Sequence, residues 1–167
     1  KIIFNGDGTM NVRSPWTKKT QVVGDPATSG SAPGMCGSIS NLRSNGGATI
    51  TVPDRNMVYV QNVPTVSSDP NYWTNSESGR PSCSSGGNPL GYPISNEDAS
   101  SSAYGCKNGD VFVEGSMHGQ LTIAAENYVY VTGDLIYKNA STDILGLVGN
   151  NAVWVWNPMR SNGNKLL

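Results

Sequence analysis

Apolar and polar positions alternate in short bursts along most of this chain, and the bursts recur. GDVFVEGSMHGQLTIAAENYVYVT (109–132) and GDLIYKNASTDILGLVGNNAVWVW (133–156) match at a fixed offset of 24 residues. The matches include Gly109/Gly133, Asp110/Asp134, Val111/Leu135, Leu121/Leu145, Ile123/Leu147, Asn127/Asn151, Val129/Val153 and Tyr130/Trp154. Each copy holds three short β-type runs, at 111–113, 121–123 and 129–131 in the first, parted by Gly, Asn or small polar residues. Such a period predicts stacked coils in which like residues sit on like residues, because one coil cannot bury its apolar interior alone. The expected fold is therefore all-β: a right-handed single-stranded parallel β-helix, a solenoid of about 24 residues per coil.

The rest of the chain is organised around that repeat as a single domain, 1–167. Ile2, Phe4, Met10 and Val12 alternate about the Asn-Gly-Asp-Gly turn at 5–8, which predicts a hairpin. With the Ser-, Gly- and Pro-rich residues that follow, it makes an N-terminal hairpin and loop over 1–46. A more distant copy, 47–62, forms the first recognisable coil: Ile50 stands for Ile123, and Asn56, Val58, Tyr59 and Val60 stand for Asn127, Val129, Tyr130 and Val131. Residues 63–107 are a long insertion, 108–157 are two regular coils, and 158–167 are a cap or tail. No stretch carries sustained helical periodicity, and a helical turn is expected only within 96–103.

Alternation also assigns faces. In V-Y-V and V-W-V the valines suit the interior, so Tyr59, Tyr130 and Trp154 are expected to point outward as a ladder, with Trp156 beside Trp154. Phe112 and Ile136 form a second outward pair. An exposed aromatic row seats a sugar or a partner protein; a covered one is the floor on which the insertion or the hairpin rests. Asn56, Asn127 and Asn151 are expected to stack as an amide ladder.

Composition narrows the function. Charged residues are only 14% of the chain, with 20 Gly and 10 Pro, which suits extracellular β structure. A net charge of −1 provides no basic field for nucleic acid. No apolar run is long enough to span a bilayer. The chain opens in mid-pattern without an initiator Met and is expected to be a piece of something longer. Of the three Cys, Cys83 and Cys106 bracket the second half of the insertion; a bond between them closes about 23 residues and contributes about 3 kcal/mol. A Cys36–Cys106 bond is the competing arrangement.

Candidate chemistry is sparse. Asp110 and Asp134, stacked at the ~4.8 Å strand spacing, would repel, share a proton or bind a cation such as calcium. Alternatively each follows Gly at a corner and bonds its own backbone amides. His118, the only histidine, aligns with Ile136, and no second His or Cys lies at zinc-ligand spacing. No G-x-S-x-G elbow is present. Glu114, Glu126, Asp110 and Asp143 fall on different corners, so no carboxylate pair for glycoside cleavage is expected. The Asn139-Ala140-Ser141 sequon is read as incidental.

GDVFVEGSMHGQLTIAAENYVYVTGDLIY followed by DILGLVGNNAVWVWNP resembles the C-terminal β-solenoid of actinobacterial envelope proteins with a PilX-like pilus-assembly N-terminus, and is similar in kind to modules displayed by large minor pilins. The resemblance covers 105–158, and more loosely 1–12 and 47–64. It implies an N-terminal segment with a membrane helix, a cell-surface location, pilus or envelope proteins as partners, and no catalytic residues. Family members carry a Cys upstream of the first hairpin, which would explain an unpaired Cys36. The expected function is a non-catalytic extracellular module for display, adhesion or pilus assembly. The alternatives are a carbohydrate-binding or polysaccharide lyase-like β-helix acting on surface glycans, and a self-assembling filament subunit.

Overall fold

The computed structural model of the protein describes residues 1–21, 34–83 and 105–155. Nine strands occur among them: β1 (Ile2–Asn5), β2 (Thr9–Val12), β3 (Ala48–Thr51), β4 (Asn56–Val60), β5 (Val111–Met117), β6 (Gln120–Ala125), β7 (Tyr128–Tyr137), β8 (Ile144–Gly149) and β9 (Ala152–Val155). They form a six-stranded sheet, β3-β2-β1-β5-β7-β9, and a three-stranded sheet, β4-β6-β8. The smaller sheet is parallel throughout. The larger is mixed: β1 is antiparallel to β2 and β2 to β3, while β1, β5, β7 and β9 run parallel. One apolar core draws on both sheets, with Phe4, Met10, Val113 and Val129 from one and Leu121 and Ile123 from the other.

This architecture overturns the expected single-stranded parallel β-helix. Two causes are visible. The predicted hairpin forms about Gly6 and Gly8, both at positive φ, and Asp7 Oδ1 accepts hydrogen bonds from the amide (2.9 Å) and hydroxyl (2.6 Å) of Thr9. It does not stand apart, however: Ile2 pairs with Val113, and β3 pairs antiparallel with β2, so the sheet is mixed. The second cause is that Gly133-Asp134 makes no corner and lies within the ten-residue strand β7. The chain thus crosses between two sheets instead of turning around three short strands. The 24-residue offset survives where β6 meets β8 (Leu121↔Leu145) and β7 meets β9 (Val129↔Val153). Between β5 and β7 it fails: Val111 pairs with Val129 and, past a bulge, Gly115 with Leu135.

The assumed coil at 47–62 divides between the sheets. β3 joins the large sheet, and β4 lies against β6 with Asn56 beside Leu121 and Tyr59 beside Ala124. Asn56 therefore has no place in the amide ladder. That ladder instead runs from Asp110 through Asn127 to Asn151: Asn127 Nδ2 donates to Asp110 Oδ1 (2.6 Å), and Asn151 Nδ2 donates to Asn127 Oδ1.

A second layer is built from 13–20, 34–47 and 63–83. It contains a short helix that the sequence pattern did not announce, α1 (Ile39–Arg43), capped by Ser38, whose hydroxyl accepts from the amide of Asn41 at 3.3 Å. The helical turn expected within 96–103 lies outside the described residues. Trp73, 5% exposed, donates its indole N–H to Trp16 O (2.8 Å), and Trp16 donates its own to Cys106 O (2.9 Å). Asn71 Oδ1 accepts from the amides of Lys18 and Lys19. The Cys83–Cys106 disulfide forms, with a Cα–Cα separation of 5.6 Å, and Cys36 is a free thiol. Among the described residues, no helix is long and apolar enough to cross a membrane.

Candidate functional site

The aromatic row breaks into three environments. Phe112 pairs with Tyr130 across β5 and β7, and Tyr130 with Trp154 across β7 and β9. The Phe112 and Tyr130 rings stack at 5.1 Å and 13°. Both are closed off from solvent, at 0% and 1% exposure, yet neither belongs to the main core, since their neighbours Val111, Val113 and Val129 fill it. They point from the reverse face of the large sheet, which is covered there. Trp154 remains 53% exposed, edge-on to Tyr128 at 6.4 Å. Tyr59 is exposed too, but on the other sheet, so it cannot extend this ladder. Trp156 lies outside the described residues. Ile136 pairs with Ser116 and is exposed; the expected Phe112/Ile136 pair does not form.

The outer face of the three-stranded sheet is an open apolar surface. Along β6 the outward positions Thr122 and Ala124 are small, and Gly146 stands beside Thr122 on β8. Met57 and Tyr59 rise from β4 on one side, Ile144 and Val148 from β8 on the other, and each of the four is more than half exposed. With strands about 4.8 Å apart, the two walls stand roughly 10 Å from each other. None of these side chains is charged. The result is a shallow apolar trough with a small-residue floor.

Several of the candidate acidic residues carry structural hydrogen bonds. Asp110 and Asp134 are not stacked: Asp110 lies by Asn127 and Tyr128, whereas Asp134 is exposed in the middle of β7. Among the described residues no group of three or more His, Cys, Asp or Glu could hold a metal ion. Asp110 Oδ1 accepts from Asn127 Nδ2 and from the Tyr128 amide (3.1 Å), while Oδ2 is buried without a partner. Burial pushes this carboxyl up to about 6 against the pull of its two donors. Burial, reinforced by the Asp110 charge, also raises the Tyr130 hydroxyl well above its ordinary range. Glu114 is drawn upward by partial burial, but Lys1 Nζ at 2.8 Å and the Thr132 hydroxyl at 2.9 Å hold it below the usual carboxylate range. Glu126 accepts from the Asn62 amide at 2.7 Å.

One constellation escaped the sequence reading. His118 Nδ1 lies 3.1 Å from Asp143 Oδ1, which is buried and also accepts from the Gly119 amide (3.0 Å), while Asp143 Oδ2 accepts from the Asn139 amide (2.6 Å). The Gly119 N–H, then those of Asn139 and His118, hold the Asp143 carboxyl below its ordinary value despite burial. The signal was present: an offset of 24 places Asp143 against Gly119, next to His118, whereas aligning His118 with Ile136 hid it. Asp143 orients the imidazole through its contact with Nδ1. Ser116 is the nearest hydroxyl in sequence, and no hydrogen bond joins it to His118 among the described residues.

Compared with protein-family models, with curated proteins and with solved structures, the chain matches none.

Proposed function

We propose that this chain is a non-catalytic extracellular recognition module, used for display or adhesion at a cell surface, and that it meets its partner through the outer face of the three-stranded sheet. The observation that carries this is the trough itself: Met57, Tyr59, Ile144 and Val148 are open around a floor of Thr122, Ala124 and Gly146. Large apolar side chains grouped on one rigid face mark contact surfaces. The Cys83–Cys106 disulfide agrees with life in an oxidising compartment. The resemblance to pilus-associated envelope proteins supplies the class of partner, an envelope or pilus protein.

Two features speak against chemistry as the main role. Asp110, Glu114, Glu126 and Asp143 accept from backbone amides, from Lys1 or from His118. The single oriented imidazole, His118, has no hydroxyl hydrogen-bonded to it among the described residues. The test is Thr122→Arg, which sets a charge on the trough floor without touching the core. Beads coated with this variant should lose attachment to surfaces carrying envelope proteins that bind the wild-type chain, at an unchanged melting temperature. Undiminished attachment would rule the trough out.

A further inference from the structure

Away from the trough, the layer built on Trp16 and Trp73 gathers three cations around two indoles. Lys18 Nζ lies 5.0 Å and Arg43 Cζ 4.7 Å from the Trp73 ring centre, and Arg80 Cζ lies 6.0 Å from that of Trp16. Two of the three charges are answered. Lys18 Nζ contacts Glu77 Oε1 at 2.6 Å and donates to Tyr72 O at 2.8 Å. Arg43 donates to Gly79 O and helps, after Lys18, to hold Glu77 below its ordinary value.

Arg80 is different. It ends the turn that begins at Glu77, its amide donating to Glu77 O at 3.2 Å. Its Nε is buried and donates to nothing, and its guanidinium makes no ion pair among the described residues. The one carboxylate of the turn, Glu77, is taken by Lys18 and by the Thr74 amide. Thr20 Oγ1, in the segment that docks on this layer through Asn71, is also buried without a partner. Arg80 as a whole is only partly buried, but a buried N–H such as its Nε is usually hydrogen-bonded, because water can no longer satisfy it. An indole beneath it holds the fork in one orientation, and a planar fork of N–H groups matches the two oxygens of a carboxylate or phosphate.

We propose that Arg80, braced on Trp16, is an oxyanion-binding site whose ligand is a carboxylate or phosphate group, carried by an acidic saccharide or present as the free ion. The site is separate from the apolar trough, and either can fail without the other. Trigalacturonate and inorganic phosphate serve as the two probes, titrated at low salt into the whole chain by calorimetry. The Arg80 Nε–H resonance, assigned by its absence in Arg80→Lys, is followed in parallel by NMR.

The expected result is saturable binding of at least one probe, a moving Nε–H signal, and affinity lower by about tenfold or more in Arg80→Ala. Arg80→Lys, which keeps charge and stem but not the fork, should also weaken binding. Lys138→Ala removes an equal charge from a distant exposed turn and should change nothing. Saturation by trigalacturonate alone identifies a glycan carboxylate, and equal saturation by phosphate identifies the free oxyanion; both uphold the site. No binding of either probe, a static Nε–H signal, or an equal loss in Lys138→Ala overturns it.

Discussion

The two sheets share one core and part company on their outer faces. On the six-stranded sheet, Phe112 and Tyr130 point away from the core and are still sealed from solvent. On the three-stranded sheet, Tyr59 occupies the equivalent outward position between two inward valines, Val58 and Val60, and stands 56% open. Tyr130 and Tyr59 sit in the same local sequence, V-Y-V. Alternation decides which face a side chain takes, and a different part of the molecule decides whether that face is wet. An aromatic row read from strand period alone therefore mixes packing residues with contact residues.

Substitutions can break this comparison or sharpen it. The largest effect is expected from Tyr130→Ala, which empties a sealed, stacked site and should destabilise the protein by about 3 kcal/mol in urea unfolding. A change below about 1 kcal/mol would mean that the reverse face of the large sheet is not a true second core.

Removing the Cys83–Cys106 bond by Cys83→Ser comes next, at about 2–3 kcal/mol by the chain-entropy relation. Its loss should raise hydrogen exchange in 63–83 before it touches β5–β9, because the strands keep their own core. Uniform loosening of both regions would show that the two layers unfold as one unit.

Asp110→Asn should act in the opposite direction. The folded carboxyl sits at about 6, above its ordinary 3.8. The native state therefore holds a proton that the unfolded chain has released. That contribution is complete below about pH 4 and is lost as pH rises through about 6. Above that, the wild type keeps a buried charge with an unpartnered oxygen. Asp110→Asn should stabilise the protein by about 1 kcal/mol at neutral pH, the full shift being discounted for partial exposure, and should flatten the pH–stability curve between about 4 and 6. A variant less stable than the wild type at pH 7 would mean that Asp110 holds the Asn127–Asn151 ladder by its charge. The smallest effect belongs to Tyr59→Ala, within about 0.5 kcal/mol, as befits a side chain with solvent on most of its surface.

What the sequence disclosed follows from how parallel strands pair. Like residues stack on like residues, so Leu121/Leu145, Val129/Val153 and the Asn127–Asn151 contact were all legible from one offset. Burial was not: Val153 stands beside sealed Val129 and is 45% exposed, because β9 is an edge. Strand length was hidden as well. Gly-Asp is ordinary turn chemistry, and only the pairing of Gly115–Met117 with Leu135–Tyr137 shows that β7 runs straight through it. The position of Tyr59 was misjudged because Val-Tyr-Val fits either sheet, and no periodicity says which. His118 and Asp143 were missed through one misaligned turn. The Arg80 site has no motif at all, since it is made by residues distant in sequence that meet on two indoles.

The unequal sheets have a last consequence, for symmetry. The outer strands of the large sheet, β3 and β9, run in the same direction, so a copy shifted along the sheet could present its β3 to the first copy's β9. That shift is six strand spacings, about 29 Å, whereas the small sheet has three strands to fill the same height, about 14 Å. A column grown this way would have one unbroken wall and, counting the described strands, one wall missing half its courses.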